Sequence, residues 1–373
     1  MKYTIALLAG DGIGPEVVNQ AVKALQAVGD TFGHEFEFEE AVVGAIAIDQ
    51  TGDPLPEATL DVCKRSNAVL FGAIGDPKYD NNPDAKVRPE QGLLKLRKEL
   101  GLFTNIRPVK AYETLLDKSP LKKDIIEGTD MVIYRELTGG IYFGEKKLSE
   151  DGTVASDLCE YSEAEIERIA HLAFKAARTR KKKVTLVDKA NVLESSRLWR
   201  RVVTTIAKSY EDVALDFLFV DNAAMQMILN PSQFDVILTE NMFGDIISDE
   251  GSVIGGSIGL LASASVGNDV AMFEPIHGSF PQGAGKDIAN PIASVLSAAM
   301  LLAHLGLHEE AATVNKAVER AIEKQIVTSD LNKNSEYGTN SVGDYIANTI
   351  ANIDEETTRI NHENINFGRS TII

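Results

Sequence analysis

Cysteine is almost missing from this chain: Cys63 and Cys159 are the only two in 373 residues. Two isolated thiols build neither a disulfide framework nor a CxxC metal pair, which excludes the stapled secreted scaffolds and leaves incidental or buried thiols. Long apolar runs are missing too, and none approaches the roughly 20 residues that a bilayer span requires. The opening stretch Met1–Ala9 has one lysine and a short apolar run that imitates a leader. It passes straight into Gly10-Asp11-Gly12-Ile13-Gly14-Pro15 and a helical pattern, so it reads as a first core strand. Positive charge is in deficit, with 37 Lys and Arg against 55 Asp and Glu and a net charge of −18. Such a surface repels nucleic acid and anionic membrane, and a cytoplasmic location is expected. The one basic run, Arg178–Lys183, follows a helical segment and is expected to be a solvated helix end. An acidic protein that handles an acidic substrate must gather its few cations locally.

The length allows about two domains. Strand-like and helix-like segments alternate, which indicates an α/β fold. Tyr3–Ala9, Ala68–Phe71, Met131–Arg135, Val184–Val187, Leu215–Val220 and Val236–Leu238 have the β-branched and aromatic content of buried strands. Pro15–Val28 reads as a helix with proline in its tolerant first turn. Ser162–Glu165 has the pattern of a capping box for a helix reaching about Thr179, and Ala293–Leu305 should be a buried helix. Tyr142–Glu160 is glycine-containing and charged, as in an exposed hairpin or arm that in a dimer would reach the partner. The polar residues after about Asn352 read as a loose tail.

The turn at residues 10–15 is similar to a dinucleotide fingerprint but has Pro15 where the third glycine belongs, so a Rossmann phosphate loop is not expected. Arg97, Arg107 and Arg135 are candidates for carboxylate recognition, because a guanidinium offers two parallel hydrogen bonds. Taken singly, each reads more readily as a surface or ion-pair arginine. Asp245 and Asp249 stand four residues apart. On a helix they share a face and repel, and a divalent cation removes that repulsion. Hard carboxylate oxygens favour magnesium or manganese. Asp221 is either a third ligand or a helix N-cap. Lys189, at a strand end, and Tyr142, after the Gly139-Gly140 turn, are candidates for proton transfer.

Seven segments together resemble the isopropylmalate branch of the isocitrate/isopropylmalate dehydrogenase family, the metal-dependent β-decarboxylating dehydrogenases. They are GDGIGPE at 10–16, RPEQGLLKLRKELGLFTNIRP at 88–108, RELTGGIYFG at 135–144, DKANVL at 188–193, VDNAAMQ at 220–226, TENMFGDIISDEGSVIGGSIG at 239–259 and EPIHGSFPQGAGKDIANP at 274–291. The resemblance runs from about Lys2 to Ala351.

It implies a two-domain α/β fold with a large twisted mixed sheet, distinct from the Rossmann fold. Residues 1–102 and 256–373 would form a discontinuous nucleotide-binding domain. Residues 103–255 would form the domain for dimerisation and for substrate and metal binding, with an arm at about 142–160. The implied reaction is NAD-linked oxidative decarboxylation of 3-isopropylmalate to 4-methyl-2-oxopentanoate, in leucine biosynthesis; tartrate or D-malate decarboxylation is the alternative.

By resemblance Arg97, Arg107 and Arg135 bind the substrate's carboxylates. Asp245 and Asp249, with Asp221 of the other subunit, hold Mg²⁺ or Mn²⁺. Lys189, also from the other subunit, is the general base and Tyr142 the general acid. A homodimer with shared sites is therefore implied. Glu90, Leu93, Leu94 and Val192 line the substrate's side chain, where Leu93 and Leu94 offer hydrocarbon and reject a third carboxylate. Residues 75–88 and 278–290 are the nucleotide-binding stretches. Within and beside them Gly75, Asp76, Pro77, Lys78, Gly278, Ser279, Gln282, Ala284, Gly285, Asp287, Ile288 and Asn290 are cofactor candidates, with Glu274 at the nicotinamide and His277 at the adenosine. Two positions depart from the branch. Gln282 replaces the acidic residue that usually meets the ribose, and Asp76 stands where glycine is common. NAD is still expected, because Gln282 adds no cation for a 2′-phosphate.

Overall fold

The computed structural model describes residues 1–80 and 86–352. Among these the chain divides into two compact units, residues 1–102 with 257–352, and residues 103–256. The tail expected after Asn352 lies outside the described residues, as do residues 81–85 of the first nucleotide stretch. No helix among the described residues is long and apolar enough to cross a membrane.

Strands are numbered along the chain. The first unit holds β1 (Lys2–Gly10), β2 (Glu35–Glu40), β3 (Ala68–Ala73), β11 (Ala262–Val266) and β12 (Ala271–Pro275). They run in the order β2-β1-β3-β12-β11, all parallel neighbours except the antiparallel β11–β12 pair. All six residues of β3 are buried, as expected of a central strand covered on both faces. The core joins Leu8, Leu55, Phe71, Leu96 and Met272. The first helix, Gly14–Phe32, ends at Gly33 in the left-handed conformation and packs on the helices Ile292–His304 and Thr339–Ala351. Ile292–His304 is buried over nearly its whole length, in line with its apolar sequence.

The second unit holds β4 (Thr104–Lys110), β5 (Asp130–Glu136), β8 (Lys183–Asp188), β9 (Ala214–Phe219) and β10 (Val236–Thr239), in the order β4-β5-β10-β8-β9. Only β4–β5 is antiparallel among these pairs. The helix Glu163–Arg178 begins with the reciprocal Ser162–Glu165 box. The arm segment forms a small exposed hairpin of β6 (Lys146–Leu148) and β7 (Ala155–Asp157). Cys63 and Cys159 are free, and burial pushes the Cys63 thiol up to about 12.

One residue of the basic run, Arg180, departs from the expected solvated role, while Arg178, Lys181 and Lys182 are exposed. Arg178 does form an exposed pair with Asp212, but the Arg180 side chain is only 3% exposed. Its Nε donates to Asp235 at 2.8 Å and its Nη2 to Asp130 at 2.6 Å. Lys182, between the helix and β8, is in the left-handed conformation at φ 59°. Arg180 is therefore a buried tie between two acids.

Removing a guanidinium from such a site leaves carboxylates uncompensated. Arg180→Ala should destabilise the second unit by about 3 kcal/mol, read as a lowered urea midpoint. A loss under about 1 kcal/mol would contradict the buried tie.

Candidate active site

In the second unit the site grows from one strand pair and one helix. Antiparallel pairing sets Asn105 opposite Arg135 and Arg107 opposite Ile133. Arg107 and Arg135 are thus diagonal neighbours on one face of the sheet. The helix Asn241–Ser252 is started by Glu240, whose carboxylate accepts from the Phe243 N–H at 2.9 Å. This places Asp245 and Asp249 on a common face, as their spacing predicts.

Each of these acids meets an arginine. Arg135 Nη1 donates to Asp245 Oδ1 at 2.5 Å, and Arg107 Nη1 donates to Asp249 Oδ1 at 2.9 Å. Arg107 is further held by Ser248 Oγ at 2.6 Å and by Asn105 Oδ1 at 2.8 Å. The Tyr142 hydroxyl donates to the other Asp245 oxygen at 2.9 Å. Burial, reinforced by Asp245, pushes the Tyr142 phenol up, so it keeps its proton at neutral pH. The donors on this face are carboxylate oxygens, which suit a hard divalent cation.

Lys189 follows β8 directly, and its Nζ donates to Asp221 Oδ1 at 2.6 Å. That bond holds the Asp221 carboxyl below its usual range. Asp221 is not the N-cap: Phe219 takes that position, and Asp221 sits in the first turn of the helix Val220–Leu229. The chain brings Asp245 and Asp249 together but not Asp221 with them. Among the described residues no three His, Cys, Asp or Glu side chains group to hold a metal ion. Val192 is exposed.

In the first unit the glycine turn is tied down by Asp11. Its buried carboxylate accepts from the N–H groups of Ala45 at 2.9 Å, Ile46 at 3.1 Å and Gly75 at 2.9 Å. Burial pushes this carboxyl up against the opposite pull of those donors. The Ile13 N–H donates to the Ser279 carbonyl at 2.8 Å, and a Cβ on Gly12 would lie 2.0 Å from that oxygen. The glycine at φ 59° therefore permits close backbone approach. A Cβ on Gly75 would meet Glu90 Oε1 at 3.1 Å and Ser279 Oγ at 3.4 Å, so Gly75, Ser279 and Glu90 share one locality.

Other candidates there have mixed roles. Arg97 donates to Glu274 at 3.0 Å, and its buried Nε has no partner among the described residues. His277 Nδ1 donates to the Gly278 carbonyl at 3.0 Å, and its buried Nε2 has no partner among the described residues. Burial holds its imidazole below the usual range. Leu94 is exposed, whereas Leu93 is half-buried against the core. Asp76 caps its own turn through the Lys78 N–H, Pro77 opens that turn, and Lys78 pairs with Asp49. Gln282, Ala284, Gly285 and Ile288 are exposed, and the Gly285 N–H reaches Glu16. Asp287 accepts from the Asn340 N–H at 2.8 Å, and Asn290 bonds Asp330 at 3.0 Å, so both are engaged in the scaffold. Gly278 is exposed at the head of this stretch.

Sequence reasoning passed over Asn241, Ser248, Asp11 and the buried Glu136, which accepts from the N–H groups of Thr138 and Gly139 at the turn before Tyr142. Asn241, Gly244, Asp245 and Ser248 follow the i, i+3, i+4, i+7 rule, so extending the aspartate spacing would have found the first and last.

The site is a set of guanidinium groups held against helix-borne carboxylates on one face of an α/β unit. The isocitrate/isopropylmalate dehydrogenase family model matches residues 4–346. A "3-isopropylmalate dehydrogenase" of Bacteroides fragilis is 53% identical over 352 residues, 94% of this chain and 99% of that protein. One of Aquifex aeolicus is 48% identical, over 96% of this chain and 100% of that protein. Among solved structures, isocitrate dehydrogenase from Methylococcus capsulatus aligns with TM-score 0.84 and 35% identity, covering 94% of this chain and 99% of that one. A β-decarboxylating dehydrogenase from Thermococcus kodakarensis gives TM-score 0.79 and 36% identity, covering 96% and 98%. The chain belongs to the isocitrate/isopropylmalate dehydrogenase family and has its α/β fold.

Asp11→Ala strands three N–H donors and should destabilise the first unit by about 2 kcal/mol in urea melts. An unchanged midpoint would show that the tie contributes nothing.

Proposed function

We propose that this chain is an NAD-linked, divalent-cation-dependent dehydrogenase that converts 3-isopropylmalate to 4-methyl-2-oxopentanoate and CO₂, a step of leucine biosynthesis. The carrying observation is the single helix face on which Asp245 and Asp249 meet Arg135, Arg107 and Tyr142. Full-length similarity to proteins called 3-isopropylmalate dehydrogenase supports the substrate.

Asp245 and Asp249, with Asp221, would hold Mg²⁺ or Mn²⁺, which would supply Lewis-acid polarisation of the hydroxy acid, and a bound nicotinamide would supply the hydride acceptor for C2. Arg107 and Arg135, with Arg97, hold the carboxylates, an orientation effect that keeps the departing CO₂ group aligned. Lys189 takes the hydroxyl proton. Loss of CO₂ from the resulting β-keto acid leaves an electron pair at C3, and Tyr142, kept protonated by its surroundings, supplies the proton there. Leu94, Leu93 and Val192 give the isopropyl group hydrocarbon, with Glu90 at their edge. The 75–88 and 278–290 stretches, with Glu274 and His277, hold the dinucleotide, and neutral Gln282 leaves NAD favoured for want of a cation.

The metal's third ligand, Asp221, and the base, Lys189, come from a partner subunit in a homodimer. Exposed hydrocarbon on the second unit supports such pairing: Leu148 and Val154 on the hairpin, Ile228 and Leu229 on one helix, and Ile246 on the next.

Purified protein should reduce NAD with 3-isopropylmalate and Mn²⁺ at a kcat/KM at least ~10-fold above that for D-malate, isocitrate or NADP, a discrimination of about 1.4 kcal/mol. Chelation should abolish turnover and Mn²⁺ restore it. Full activity without divalent ions, or a preference for D-malate, defeats the reading. Lys189→Ala and Asp245→Asn should each be inactive while remaining folded. Mixed under subunit exchange they should regain about a quarter of wild-type activity, since half the dimers carry one intact site. No recovery despite demonstrated exchange rules out the shared site.

A further inference from the structure

The buried amide of Asn241 has a role that the reaction scheme leaves unassigned. Its Oδ1 accepts from Arg135 Nε at 3.1 Å and Nη2 at 2.9 Å, and its Nδ2 donates to the Gly139 carbonyl at 3.1 Å. The side chain thus spans two pieces of the site: the arginine expected to hold a carboxylate, and the Gly139-Gly140 turn that leads to Tyr142. We propose that Asn241 is a positioning residue that sets the Arg135 guanidinium and the Tyr142 turn in one register; the inference rests on the activity proposed above.

Three features carry it. First, helix initiation does not need this side chain. Glu240 already caps the first turn, and Asn241 gives its own N–H to the Tyr161 hydroxyl at 3.0 Å. Second, the arginine stem is fitted to the same helix face. A Cβ on Gly244 would lie 2.5 Å from Arg135 Cγ, so the glycine one turn beyond Asn241 lets the stem lie flat against the helix. With the Nε–Nη2 edge fixed by the amide, Nη1 is aimed at Asp245, and Tyr142 reaches the opposite oxygen of the same carboxylate. Third, the clamp is neutral. A carboxylate on the Nε–Nη2 edge would form the strong bidentate pair and offset the arginine's charge. An amide fixes the orientation without adding a second negative charge beside that of Asp245. It also supplies the N–H for Gly139, which a carboxylate lacks.

The near-isosteric Asn241→Asp keeps shape while adding charge, and Asn241→Ala removes both contacts. With wild-type protein alongside, Asn241→Asp should raise KM for the hydroxy acid at least ~10-fold while KM for NAD stays within about twofold, the scale of one charged hydrogen bond. Asn241→Ala should lower kcat by roughly tenfold or more, because the guanidinium and the proton donor lose register. Equal changes in both KM values for Asn241→Asp, or wild-type kinetics in either variant, overturn the proposal.

A crystal structure of Asn241→Ala decides the geometry without turnover. Rotation of the Arg135 guanidinium and displacement of residues 139–142 by more than about 1 Å are expected, with the rest of the unit unmoved. Retention of both in their original places overturns the inference, whatever the kinetics. Failure of the wild-type protein to oxidise 3-isopropylmalate counts against the proposed substrate alone, and the structure of the variant still judges Asn241.

Discussion

Two carboxylates one helical turn apart repel, and the second unit is arranged around that repulsion. Asp245 and Asp249 project from one face of a helix in a protein whose net charge is already −18. Two scarce cations meet them, Arg135 from β5 and Arg107 from β4, brought diagonally adjacent by antiparallel pairing. The remaining contacts serve this balance. Gly244 omits the side chain that would strike the Arg135 stem, while Asn241 and Ser248 occupy the leftover N–H groups with neutral oxygens. In the proposed reaction the carboxylate pair would hold the cation and the guanidinium groups the anionic substrate, from positions set before either binds.

A second set of buried polar groups lies around the Gly139-Gly140 turn. Glu136 is fully buried and accepts from the N–H groups of Thr138 and Gly139, with Arg168 at 3.3 Å as its counter-charge. Tyr161 lies under the Gly139-Gly140 turn so closely that a Cβ on Gly140 would come within 2.2 Å of its hydroxyl. Tyr161 also donates to Glu240 at 3.1 Å, and burial pushes the Glu240 carboxyl up. Strand end, turn and helix start are thus joined through the carboxylates of Glu136 and Glu240 and the hydroxyl of Tyr161, each of them hydrogen-bonded. Such a network costs stability if any member is removed and in return fixes geometry.

The first unit uses its glycine turn for backbone contact. Gly12 lies against the Ser279 carbonyl, and Asp11 gathers N–H groups from residues 45, 46 and 75. One buried acid thereby joins the turn after β1 to the segment after β3, where Gly75, Glu90 and Ser279 come together. Pro15 is compatible with this use, since the helix behind it begins with a proline in its first turn and no third glycine is required.

Local rules carried the sequence reading a long way. Strand and helix positions, the Ser162 capping box, the buried Ile292–His304 helix and the shared face of Asp245 and Asp249 all depend on neighbours within about one turn or one strand. The family itself was legible from its long motifs. Partner choice was not. Arg180 sits in a run of basic residues and reads as solvated, yet it is drawn inward by Asp130 and Asp235, about 50 residues away on either side. Asp221 has the composition of a cap but lies in the first turn, two residues past it, because Phe219 ends its strand as the helix begins. Asn241 meets Arg135 across 106 residues of sequence. Charge and periodicity are properties of a segment and can be read along it. Which buried donor meets which acceptor is fixed only when sheet order brings distant segments together, and there the tertiary structure alone decided.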